Sequence, residues 1–186
     1  DNIKDAVNLW CDNKDEAIEI YGHIIGLWDV SHVTDMSNLF KDKLYFNDDI
    51  SKWNVSNVTN MEGMFSGAKS FNQPLNSWNV SNVTNIKCMF CRAKSFNQYI
   101  GCWNVLNVID MESIFNKAKS FNQDIANWKV SNTTNMNSMF NQAESFNQYI
   151  GCWNVSNVRY MQSMFKRAKS FNQPINDWDC LLYTSP

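Results

Sequence analysis

The sequence predicts an α/β repeat protein, with one short strand and one short helix in each 25-residue coil and a helical cap at its start. Three observations predict it. Seven of the eight tryptophans (Trp28, Trp53, Trp78, Trp103, Trp128, Trp153 and Trp178) follow one another every 25 residues without a slip, and only Trp10 lies outside the series. A fixed period between about 20 and 50 residues is the mark of a stacked array. The residues between the tryptophans recur as well, an apolar set at helical spacing followed by an extended segment. The opening residues, by contrast, break the period and carry a helical pattern of their own.

Residues 1–27 form the cap. Ile3, Ala6, Val7 and Trp10 are spaced i, i+3, i+4, i+7, one face of a helix, and Ala17, Ile18 and Tyr21 continue a second apolar series. An array needs such a cover over the open end of its core. Residues 28–179 are the tandem repeats, about six of them by the 25-residue period. Counting each Trp as position 0, Val holds +2 (Val55, Val80, Val105) and dominates +5. Met or Ile holds +8, Phe +12 (Phe65, Phe90, Phe115) and Ala mostly +15. Positions +8, +11, +12 and +15 are again spaced as one helical face. Thr59-Asn60-Met61-Glu62 has the form of a capping box before it, with Thr84 and Thr134 in the same place, and Gly67 offers a stop. The helix then has about two to three turns. Phe-Asn-Gln-x-Ile, beginning at +18, reads as the short strand, with Phe and Ile on one side of the pleat. A strand and a short helix cannot bury their own apolar face, so copies must stack, advancing about 4.8 Å each. Asn at +19 (Asn47, Asn72, Asn97, Asn122, Asn147, Asn172) then becomes a ladder whose amides satisfy neighbouring backbone. Residues 180–186 abandon the pattern, resemble a translated sequencing-adaptor artefact and are set apart from the repeat.

Composition narrows the function. Net charge is −2 over 186 residues, so there is no overall basic field to hold nucleic acid or an anionic membrane. No apolar run approaches the roughly 18–20 residues of a membrane-spanning helix. The chain begins at Asp1 and is read as a fragment, so the lack of a visible signal segment says little about location.

Written out, the repeat resembles that of the BspA-like leucine-rich-repeat surface proteins, in their 25-residue Mycoplasma-type form. The residues that carry the resemblance are Trp53-Asn54-Val55-Ser56-Asn57-Val58-Thr59-Asn60-Met61, then Met64-Phe65, Ala68 and Phe71-Asn72-Gln73. Ala6-Val7-Asn8-Leu9-Trp10 with Tyr21-Gly22-His23-Ile24 is similar to the entry segment of such arrays. The resemblance covers residues 3–179, and Leu106, Ile109, Thr133 and Arg159 depart from it locally. It implies a right-handed, leucine-rich-repeat-like solenoid in a secreted or cell-surface protein, in some members an adhesin. Extracellular protein or polysaccharide is then the expected partner. No catalytic residue and no cofactor come with it.

The repeat columns carry the candidate sites. Position +21 varies most: Asp49, Pro74, Tyr99, Asp124, Tyr149, Pro174. Exposed Tyr on a rigid ladder is a good recognition residue, so Asp49, Tyr99, Asp124 and Tyr149 are the first candidates for binding. The alternative is that Tyr99 and Tyr149 pack over Gly101 and Gly151. A weaker candidate is the basic column of Lys69, Lys94, Lys119 and Lys169, broken by Glu144, with Arg92, Lys117 and Arg167 beside it. It suits an anionic polysaccharide, or is a solvated edge. Cys88-Met89-Phe90-Cys91 is a single C-x-x-C; zinc would need a second pair. Cys102 and Cys152, two copies apart, should lie about 10 Å from one another and stay free. His23 and His32 do not recur. Asn54, Asn57, Asn79, Asn82, Asn132 and Asn154 sit in N-x-[ST] sequons, glycan acceptors in a secreted eukaryotic protein or, more in keeping with a crowded stack, turn caps. The expected function is a non-catalytic binding or adhesion module; next comes a structural spacer array, then a thiol-redox or metal protein through Cys88 and Cys91.

Overall fold

The computed structural model describes residues 2–178; the segment 180–186, read as outside the repeat, lies beyond the described residues. Helix α1 (Ile3–Asp12) starts at Asn2, whose side chain accepts from the Lys4 N–H, and buries Ala6, Val7 and Trp10. Asn13 ends α1 by donating to Leu9 O and caps α2 (Lys14–Tyr21) by accepting from Glu16 N–H. Gly22, at φ 87, ends α2. Trp10 stands edge-on to Trp28 at 5.5 Å, and its indole N–H donates to Asp48 Oδ2 at 2.8 Å. The helix pair is thereby tied to the first copy.

From there the copies lie parallel and in register. Bridges run Asp35–Asn60–Asn85–Asp110–Asn135–Tyr160, all at +7. Val at +2, Phe at +12 and +18 and Ile or Leu at +22 are buried in the central copies. The +12 rings stack from copy to copy at 5.4–5.9 Å, and each lies 3.9–4.1 Å from the +18 ring of its own copy. Offset stacking of this kind adds to the area the rings remove from water. From Trp53 to Trp178 the indole N–H reaches back to a carbonyl of the preceding copy, as Trp103 does to Leu75 O at 2.9 Å; the buried Trp28 indole N–H has no partner among the described residues.

The helix expected over +8 to +15 is instead a run of turns. Its backbone hydrogen bonds go to the next copy: Ile86 N–H to Asp110 O at 3.2 Å, Cys88 to Glu112 at 2.8 Å, Phe90 to Ile114 at 2.9 Å and Arg92 to Asn116 at 2.7 Å. The amides between them close turns within the copy, as Met89 N–H does to Ile86 O at 3.1 Å. Positions +10 and +14 are left-handed throughout, from Asn38 (φ 58) and Asp42 (φ 57) to Ser163 (φ 58) and Arg167 (φ 60). An α-helix admits neither feature, since each N–H must reach i−4 along its own chain. The apolar spacing is common to both structures, because both turn the same residues inward. Accordingly Thr59 and Thr84 are not helix caps: their hydroxyls donate to the preceding copy's carbonyls at Thr34 and Thr59. Gly67 (φ 76) is one occupant of the +14 turn place, not a helix stop.

The strand expected over Phe-Asn-Gln-x-Ile is not formed: the segment makes no backbone ladder, and the only backbone β-bridges between copies among the described residues lie at +7. The Asn side chains join it across copies: Asn97 N–H donates to Asn72 Oδ1 at 2.9 Å and Asn122 N–H to Asn97 Oδ1 at 2.9 Å. Gln98 and Gln123 Nε2 add donations to the same oxygens at 3.2 and 3.1 Å. Copies are therefore joined along this segment by side chains and not by a backbone ladder.

Candidate functional site

The +21 column lies beside this Asn–Gln ladder, in the turn that leads to the next Trp. In each copy the Trp N–H closes the turn onto the +22 carbonyl, as Trp103 does to Ile100 O at 3.1 Å. Asp49 and Asp124 are exposed, but each is occupied by its own turn. Asp49 Oδ1 accepts Ser51 N–H at 2.8 Å and Asp124 Oδ1 accepts Ala126 N–H at 2.9 Å. That bond, with the Ser51 side chain, holds the Asp49 carboxyl below the ordinary carboxylate range. Tyr99 and Tyr149 are 46% and 44% exposed, so about half of each ring faces solvent. The other half lies over glycine. A Cβ on Gly101 or Gly151 would come within 2.7 Å of the Tyr99 or Tyr149 ring. The two alternatives for these tyrosines therefore coexist: each packs over its glycine and stays accessible.

The basic column is divided by its one acid. Glu144 carboxylate oxygens lie 2.7 Å from Lys119 Nζ and 2.8 Å from Lys169 Nζ. Hydrogen bonds from Lys119 and then Lys169 lower its carboxyl to about 2. Lys69, Arg92, Lys94 and Arg167 are exposed and Lys117 is half-buried. Toward the earlier copies the column thus offers Lys69, Arg92 and Lys94; toward the later ones Lys119 and Lys169 are engaged with Glu144, beside the exposed Arg167.

Cys102 and Cys152 are exposed free thiols whose Sγ atoms donate to Asn76 O and Ala126 O of the preceding copies at 3.2 and 3.3 Å. Among the sequon residues, Asn54, Asn79 and Asn154 accept from the N–H two residues on. Asn57, Asn82 and Asn132 instead donate Nδ2 to a carbonyl of the preceding copy. Both sets serve the turns and the stack. His23 and His32 are exposed, and no group of three or more metal-ligating side chains occurs among the described residues.

Two features escaped the column reading. Tyr45 is 88% exposed at +17, where Ser70, Ser95, Ser120, Ser145 and Ser170 stand in the other copies, and it borders a cleft with Trp10, Lys14 and Asp48. Its break in an otherwise constant Ser column is the signal that could have found it. Leu106 and Ile109 are 40% and 51% exposed, and Ile109 lies between Thr84 and Thr134 in a shallow groove. In the sequence both stand out as local departures from the repeat.

No curated protein and no solved structure matches the chain. A family described as "Mycoplasma protein of unknown function, DUF285" matches residues 12–117 and 98–184. The two matches overlap within the repeat and together span nearly the whole chain, as a tandem array requires. The chain is a member of this repeat-containing Mycoplasma family, DUF285.

Proposed function

We propose that this chain is a non-catalytic binding module of a secreted or cell-surface protein, built as a right-handed leucine-rich-repeat-like solenoid of the BspA-like kind. Its recognition face is the +21 ridge, and its partner is an extracellular protein or polysaccharide. The observation that carries this reading is the half-exposed pair Tyr99 and Tyr149, each ring held over a glycine beside a hydrogen-bonded ladder. A ring so held gives up little entropy on binding, and Tyr is a frequent hot-spot residue. Asp49 and Asp124, being bound in their own turns, shape the ridge and contribute less directly. Lys69, Arg92 and Lys94 are a second, weaker face toward anionic polysaccharide. The engagement of the aspartates and of Glu144 within the chain favours a second reading, a structural spacer array without a ligand.

The test is an array of extracellular matrix proteins and glycans probed with the full chain and with the Tyr99→Ala/Tyr149→Ala variant. The binding reading expects capture by the wild type and at least a tenfold loss in the variant, the size of a hot-spot residue, at unchanged melting temperature. Equal capture by both sinks the ridge, and no capture by either favours the spacer.

A further inference from the structure

Two thiols meet in the third copy. Cys88 and Cys91 occupy +10 and +13, and Cys91 N–H donates to Cys88 O at 3.0 Å, closing the turn. Such a turn holds its end Cα atoms within about 7 Å, which brings them into the range of about 4.4–6.8 Å that a disulfide spans. Both residues are half-buried free cysteines, and their thiols lie near enough to perturb one another's ionisation. The fold does not need them. Gly63 and Ser66, Ser113 and Asn116, and Ser138 and Asn141 make the same turn with N–H to O distances of 2.9, 3.0 and 3.1 Å. Nor is the surrounding charge neutral. Arg92 and Lys117 lie beside Cys91, whereas Lys87 and Glu112 lie beside Cys88 and pair with each other at 3.0 Å.

We propose that Cys88 and Cys91 form a dithiol–disulfide exchange site for small-molecule disulfides, of which glutathione disulfide is the probe. It is independent of the tyrosine ridge. Cys91 is the nucleophile. The neighbouring Cys88 thiol, helped by Arg92, Ser66 and Lys117 and opposed by burial, holds its thiol below the ordinary range. Cys88 keeps its proton, pushed up first by the neighbouring Cys91 thiol and then by burial. Cys11 is a contrast: burial pushes its thiol up to about 11, which leaves it little thiolate for reaction.

The reaction balances without any further reagent. The Cys91 thiolate attacks one sulfur of RSSR; the Cys91 Sγ–SR bond forms, the RS–SR bond breaks, and RS⁻ leaves to be protonated by water. Cys88 then gives its proton to water and attacks Cys91 Sγ, expelling the second RS⁻. Two cysteine thiols are oxidised to one disulfide, and one RSSR is reduced to two RSH. The backbone bonds that join this turn to its neighbours, Cys88 N–H to Glu112 O at 2.8 Å and Gly67 N–H to Cys91 O at 2.7 Å, take no part.

The experiment equilibrates the folded full chain in a series of reduced-to-oxidised glutathione ratios, quenches it with acid, alkylates it and digests it with trypsin. Cleavage after Lys87 and Arg92 places both cysteines on one peptide. The expected result is that this peptide loses two hydrogens and resists alkylation as the ratio becomes oxidising, and recovers when the ratio is reversed. Cys88→Ser should trap glutathione on Cys91, while Cys91→Ser should leave Cys88 reacting about tenfold more slowly than Cys91 does in the wild type at pH 7. Both variants place at these positions a residue that sister copies already carry, and a melting curve confirms folding. The proposal is overturned if the peptide stays alkylatable at every ratio. It is equally overturned if a folded Cys88→Ser chain acquires no glutathione at Cys91.

Discussion

Asn97→Ala removes one rung of the Asn ladder and isolates its energy. Asn97 Oδ1 accepts the Asn122 N–H at 2.9 Å and Gln123 Nε2 at 3.1 Å. Alanine leaves the half-buried Asn122 N–H without its acceptor, a loss of about 1–3 kcal/mol. Gln123 is also half-buried but its long side chain reaches solvent, so it adds little. The loss is then about 2 kcal/mol, which for a chain of this length lowers the melting temperature by about 4–8 °C. Asn97→Asp retains an oxygen facing both donors, and a carboxylate accepts at least as strongly as an amide, so this variant should lose less than about 1 kcal/mol at pH 7. Thermal and urea unfolding followed by circular dichroism measure both. If alanine leaves stability unchanged, or if aspartate falls as far as alanine, the rung does not work as an acceptor and the account of the extended segment is wrong.

Other perturbations address the core, the ridge and the surface charge. Phe90→Ala deletes a fully buried ring 5.6 Å from Phe65, 5.9 Å from Phe115 and 3.9 Å from Phe96, and should lower unfolding free energy by about 3–5 kcal/mol. A loss under about 1 kcal/mol in urea titration would contradict the stacked core. Gly101→Ala sets a methyl group 2.7 Å from the Tyr99 ring and against Asp124 O, so it should destabilise by about 1–3 kcal/mol and change tyrosine fluorescence. Tolerance of alanine with unchanged fluorescence would mean that the ring is not held over the glycine. Glu144 has a folded-state carboxyl lowered from 4.5 to about 2, so its contribution is fully present above 4.5 and is lost as pH falls from there toward 2. Glu144→Gln should remove that part of the acid dependence in melting curves, and salt should shrink the difference because the pairs are exposed. Identical acid profiles for the two proteins would dismiss the pairs.

What could be read from the sequence depended on whether side chains or backbone carried the information. Ile3, Ala6, Val7 and Trp10 marked a helix because α1 keeps its hydrogen bonds to itself, so the apolar stripe and the backbone agree. The columns at +2, +12 and +18 could be read as interior because apolarity alone decides burial there. The same i, i+3, i+4, i+7 spacing misled at +8 to +15, because it records which residues turn inward and not where their amides donate. A backbone clue was present. Asn38 and Gly63 at +10, and Asp42 and Gly67 at +14, are residues that tolerate left-handed conformation. Asp49 and Asp124 stand out in the sequence as variable, but Asp and Pro sharing one column is equally turn chemistry. The Cys88–Cys91 pair carried little weight as a single C-x-x-C, since spacing alone does not reveal the turn that brings the thiols together.

The Tyr ridge is held in place by the copies that stack beneath it, and hydrogen exchange resolved to single amides tests that stacking most directly. Phe90 and Arg92 N–H donate to the next copy at 2.9 and 2.7 Å. The equivalent amides of Phe165 and Arg167 have no acceptor among the described residues. Copy-to-copy bonding predicts strong protection at Phe90 and Arg92 and fast exchange at Phe165 and Arg167. Equal protection of the two pairs, as a self-contained helix in every copy would give, would contradict it.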